Sequence, residues 1–149
     1  MPTGTGVRHL AGAQHPAAVR GIHPGIPRFA ALNILMTGCC MLASHEPHPY
    51  AFVELDYADG SRERLAIVYQ RDVMEAWSED PAGNRARVAW RAHDGAFRLF
   101  HVRCANPHPE RLVRSIAIEA SDEPFSGPSI FAITAEPVEA SPNLSATSD

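Results

Sequence analysis

The chain contains no lysine; its thirteen basic residues are all arginine, and seventeen Asp and Glu outnumber them, for a formal net charge of −4. A surface of that sign gives no electrostatic help to binding a phosphate backbone, so nucleic acid is not an expected partner. Cysteine is scarce too. Of the three, Cys39 and Cys40 are adjacent and Cys104 stands apart, whereas a disulfide framework needs an even number at separated positions. A reducing, cytoplasmic compartment is therefore the default. No apolar run reaches the roughly 18 residues that a spanning helix needs, and the first residues lack the apolar core of a secretory signal. HExxH, GxSxG, CxxC and a phosphate-binding loop are all missing. The early Gly-Thr-Gly has neither the preceding strand nor the following helix of a dinucleotide site. No catalytic residue, cofactor or metal is assigned, and the expectation is a protein that is not an enzyme.

What is present belongs to a globular chain. Over 149 residues, 45% are hydrophobic and 20% charged, enough to bury one core. The Pro- and His-rich residues 1–18 read as a disordered or extended arm, residues 19–136 as the domain, and residues 137–149 as a disordered tail. Within the domain, strand signals dominate. In "YAFVELDYADGSRERLAIVY" two alternating runs flank Asp59-Gly60, a strong hairpin signal. Alternation sets Ala51, Val53, Leu55 and Tyr57 on one face and Glu54 and Asp56 on the other. Beyond it, Asp72 is positioned to cap one or two helical turns. Strands follow on either side of Asp94-Gly95, then "RLVRSIAIEAS" and "PSIFAITAE". About seven short strands at steady spacing imply an antiparallel β-sandwich or jelly roll.

One stretch, Phe29 to His48, admits three readings. "MTGC" after an apolar run resembles a lipid-attachment box, but the run is short and apolar residues continue past the cysteine. Cys39, Cys40, His45 and His48 are zinc-ligand types, but adjacent residues of an extended chain point to opposite sides. A buried strand running into a polar loop uses every apolar residue for packing and needs no special chemistry. The strand is the reading adopted.

Four residues are candidates for binding. Trp77 and Trp90 can stack on a sugar ring, each offering a large apolar face with a polar edge; packing against the core is the competing account. Arg71 and Asp72 can hold ligand hydroxyls through forked, charge-assisted bonds; capping a turn and latching a loop to the sheet competes with that. Asn106, between Ala105 and Pro107, reads as a loop-shaping residue. His101 and Arg103 share a strand face with Leu99, opposite Arg98, Phe100, Val102 and Cys104.

The segments "VRGIHPGIPRFAALNILMTGC", "FVELDYADGSRERLAIVYQRDVMEAW", "RLFHVRCANPHPERLVRSIAIEAS" and "FAITAE" together resemble a galactose-binding-like jelly-roll module. Such modules occur in bacterial carbohydrate-active and signalling proteins. The resemblance implies an all-β sandwich acting as a ligand-binding accessory module, with carbohydrate as the natural ligand. Related modules begin with further strands ahead of "VRGI", so this chain reads as trimmed at that end or as a sheet whose edge takes a partner. That second case implies a module for protein–protein interaction or self-association. Related modules often carry Trp where this chain has Cys104, so a stacking role does not transfer to that position.

Overall fold

The computed structural model describes residues 8–10, 17–38, 47–77, 86–122 and 127–139. All regular structure among them is β: β1 (Arg8–His9), β2 (Ala18–Ile22), β3 (Phe29–Thr37), β4 (Pro49–Tyr57), β5 (Arg62–Val68), β6 (Arg87–Arg91), β7 (Arg98–Ala105), β8 (Val113–Ala120) and β9 (Ser129–Pro137). They form two antiparallel sheets, of order β1-β9-β3-β7-β6 and β2-β8-β4-β5. The architecture is a β-sandwich.

The sheets meet because alternation gives each strand one apolar face. In the first sheet Leu32, Ile34 and Met36 of β3 lie between Phe100, Val102 and Cys104 of β7 and Ile130 of β9. The second sheet presents Val53, Leu55 and Tyr57 from β4, Ile67 from β5, and Ile116 and Ile118 from β8. All belong to one buried cluster. Removing such a side chain from water contributes about 1.5–3 kcal/mol each. Leu10, beside β1, is also fully buried in this cluster, although the sequence reading put it in an arm outside the domain.

The hairpin at Asp59-Gly60 forms between β4 and β5. Gly60 has a φ of 88° and donates its N–H to the Tyr57 carbonyl, while Asp59 Oδ1 accepts from Ser61 N (2.9 Å) and Oγ (2.6 Å). Only glycine takes that φ without steric cost. At the same end of β4, the loop ahead of β8 is pinned by Asn106. Its Oδ1 accepts from Tyr57 Oη (2.6 Å) and His108 N (3.0 Å), and its Nδ2 donates to the Phe29 carbonyl (3.0 Å). This gives both polar atoms of a buried amide a partner and accounts for its loop-shaping role.

No helix follows Asp72 among the described residues. Residues 69–77 make two isolated parallel bridges instead, Tyr69 to Val73 and Gly38 to Glu75. Asp72 Oδ2 accepts from Val68 N (2.8 Å), and Asp72 N donates to the Val68 carbonyl (2.8 Å). The capping carboxylate is thus spent on the end of β5 and no helix starts. The segment then crosses to the end of β3, where Gly38 N bonds the Met74 carbonyl and Ala76 N bonds the Gly38 carbonyl.

Of the stretch with three readings, Phe29–Thr37 is the buried strand β3, and Met36 and Thr37 are 0% and 2% exposed. Cys39, Cys40 and His45 lie outside the described residues. Gly38 has a steric role: a Cβ there would sit 3.0 Å from both the Met74 carbonyl oxygen and Tyr50 Oη. Gly38→Ala is expected to lower unfolding free energy by about 1–3 kcal/mol. A lower denaturant midpoint at constant m-value would report it. An unchanged midpoint would mean that Met74 and Tyr50 move aside freely.

Candidate functional site

The two sheets differ on their outer faces. Across the four-stranded sheet, Arg20, Glu119, Glu54 and Arg64 form a row of ion pairs at 3.4–3.9 Å. The Arg64 guanidinium also covers the Phe52 ring at 3.7 Å. Arg62 reaches Asp56 at 2.6 Å, and Ser115 donates to the same carboxylate. That face is a solvated, self-neutralising surface.

The outer face of the five-stranded sheet carries aromatics. Trp90 is 51% exposed and Trp77 60% exposed, the most exposed large apolar side chains among the described residues. The packed account of the tryptophans does not hold. Plain alternation would put Trp90 on the face of Val88, which packs against the core. The β6–β7 register shifts between these residues: Val88 lies opposite Phe100, and Trp90 opposite Leu99. The extra residue, Ala89, is a β-bulge, which turns Trp90 outward beside Leu99.

Trp77 arrives differently. The Ala76 carbonyl accepts the Arg98 N–H at 2.9 Å, which holds the crossing segment against the start of β7. The Trp77 ring then meets Phe97 edge-on at 5.8 Å, and Phe97 meets Phe131 at 6.4 Å. These spacings are typical of edge-to-face aromatic pairs. By alternation Phe97 shares its face with Leu99 and His101. Aromatic rings therefore extend from β6 across β7 toward β9.

Beside the rings lies a polar strip. His101 Nε2 is 2.8 Å from Asn33 Oδ1, and Asn33 Nδ2 donates to Glu136 (3.3 Å). Arg103 clasps the same carboxylate with two bonds of 2.9 and 2.8 Å. That pairing, first Arg103 and then Asn33, holds the Glu136 carboxyl below its ordinary range. Stacking surface and hydrogen-bonding groups thus share one open sheet face.

Arg71 and Asp72 lie elsewhere. Arg71 grips Asp72 through Nε (3.0 Å) and Nη2 (2.6 Å), while Asp72 closes the end of β5. They flank a cleft of about 320 Å³ between β5 and β7, walled by Leu65, Ala66, Val102, Cys104 and Ala105. Arg64 and Arg103 contribute to its rim but turn their guanidiniums to Phe52 and Glu136 on the outer faces. Its polar groups already satisfy one another, which is the latch account of this pair. The four sequence candidates therefore do not converge. The tryptophans belong to the sheet face, and the Arg-Asp pair to the seam.

Cys104 forms part of that seam. It is 8% exposed, and burial pushes its thiol up to about 11, with Asp72 adding and Arg71 opposing. A thiol so protonated is a poor nucleophile. Among the described residues no three His, Cys, Asp or Glu gather as a metal site, and no helix is long and apolar enough to cross a membrane.

Sequence reasoning missed Phe97, Phe131, Asn33 and Glu136 as neighbours of the tryptophans. They come from three separate parts of the chain, β3, the turn before β7, and β9, and only strand register unites them. The protonated state of Cys104 is directly testable. Alkylation at pH 8, followed by peptide mass mapping, should label Cys104 far more slowly in the folded than in the unfolded chain. The difference should shrink as pH approaches 11. Equal rates at pH 8 would show an accessible thiolate.

Comparison of the chain with protein-family models, with curated proteins and with solved structures gives no match.

Proposed function

We propose that the chain is a non-catalytic ligand-binding module whose ligand is a carbohydrate, with Trp77 and Trp90 as its stacking residues. The observation carrying this is their exposure, 60% and 51%, in a protein whose other aromatic residues are mostly in the core. An exposed indole costs hydrophobic stabilisation that a folded chain recovers only by covering it. A pyranose ring provides a cover of the right kind, with an apolar face for the indole and hydroxyls for the neighbouring Asn33 and His101.

The same reading places the fold in the galactose-binding-like jelly-roll class. Its support is the strand order. β1-β9-β3-β7 in one layer and β2-β8-β4-β5 in the other interleave as nested Greek keys do, with β6 added at an edge. β1, two residues long, stands where further strands were expected to be lacking.

A second reading is a protein-interaction or self-association module. It is favoured by β5, which borders no further strand among the described residues. Arg62, Glu63 and Arg64 line that strand, and edge charges of this sort discourage strand addition. The chain is therefore expected to sediment as a monomer at high concentration; a dimer would put the second reading first.

Calorimetric or fluorescence titration against a glycan panel tests the leading proposal. Trp90→Ala and Trp77→Ala are each expected to cost more than about 1 kcal/mol of binding, the level that marks an energetic anchor. Circular dichroism should be unchanged, since both rings are largely in solvent. Absence of binding across neutral and acidic glycans would overturn it.

A further inference from the structure

Six arginines among the described residues, Arg20, Arg62, Arg64, Arg71, Arg103 and Arg111, have a carboxylate within 4.0 Å. Of the strand arginines facing outward, Arg20, Arg62, Arg64 and Arg103 each have one within 4.0 Å. Arg87 and Arg114 are exposed strand residues with no side-chain ion pair or hydrogen bond among the described residues. Only Arg87 shares a face with an exposed tryptophan. It lies opposite His101 in the β6–β7 register, so it points to the outer face, and the Ala89 bulge places Trp90 on that face three residues later.

The charges of this face make Arg87 conspicuous. Among the described residues the charged groups there are Arg87 and Arg103 against Glu136, and Glu136 is consumed by Arg103 and Asn33. One guanidinium remains, in a chain whose overall charge is −4. A guanidinium presents its donors as a planar fork that matches a carboxylate, and it is weakly hydrated, so little solvation is lost on pairing. Set three residues along the same strand from an exposed indole, it complements a ring that bears a carboxylate.

We infer that the saccharide bound on the outer face of the five-stranded sheet is a uronate-bearing oligosaccharide, with a ring stacked on Trp90 and its carboxylate paired to Arg87. This rests on the carbohydrate reading above and narrows it to an acidic class. The openness of the face suits the interior of a chain, since the aromatic rings run across several strands and no described loop closes over them.

The experiment uses the full chain and a matched pair of oligosaccharides, a uronate oligomer and its carboxyl-reduced counterpart, titrated by calorimetry at low and high salt. A sulfated oligomer of similar length serves as a third arm. The uronate form is expected to bind about tenfold or more tighter than the reduced form. That preference should fall with added salt and disappear in Arg87→Gln, while Trp90→Ala weakens both forms. The sulfated oligomer should bind more weakly than the uronate. Equal binding of uronate and reduced forms, or a preference that survives in Arg87→Gln, overturns the inference and leaves the carbohydrate reading standing. Sulfated binding as tight as uronate binding also overturns it, by reducing the effect to polyanion attraction. If none of the three binds, both the inference and the reading beneath it fall.

Discussion

Everything in this molecule depends on the contact between two apolar sheet faces. Leu32, Ile34, Met36, Phe100 and Val102 press against Val53, Leu55, Ile67, Ile116 and Ile118. The contact is nondirectional, but strand periodicity converts it into a directional constraint. Once one face of each strand is committed inward, the alternate residues must face water. A one-residue slip would expose the core and bury Glu54, Asp56, His101 and Arg103. Register is therefore held by the cost of burying unpaired charge as much as by hydrophobic gain.

That constraint makes the outer faces informative. On the four-stranded sheet the outward positions are mostly charges that neutralise one another, as Arg20, Glu54, Arg64 and Glu119 do. On the five-stranded sheet the outward positions mix rings with polar groups, and Trp77 and Trp90 are left in solvent. The seam between the layers contains the cleft, but its chemistry is internally closed, with Arg71 on Asp72 and a protonated Cys104 beneath. Volume alone would have pointed to the seam; unsatisfied surface points to the sheet.

The legible part of the fold was the part governed by local rules. Alternation placed Val53, Leu55 and Tyr57 inward, Asp59-Gly60 made the hairpin, and Asn106 shaped its loop. The segment after Asp72 was misread as helical because its carboxylate caps equally well a strand end or a helix start, and only its Val68 partner decides between them. Leu10 and β1 were illegible because a two-residue pairing with β9 leaves no periodic trace. Of the binding candidates, the tryptophans and the Arg71–Asp72 pair were visible as residue types, but their separation onto two regions was not.

By itself the sequence determined an all-β chain, the strands β3 to β9, and the faces of most of their residues. These follow from a period of two, which any extended chain obeys. The tertiary structure alone decided that Trp90 faces out, because one extra residue, Ala89, is accommodated as a bulge against β7. It also decided that Trp77 meets Phe97, because Ala76 bonds to Arg98, and that Arg87 stands without a carboxylate among the described residues. A bulge reverses every face assignment beyond it, and its position is set by the partner strand rather than by the strand that carries it.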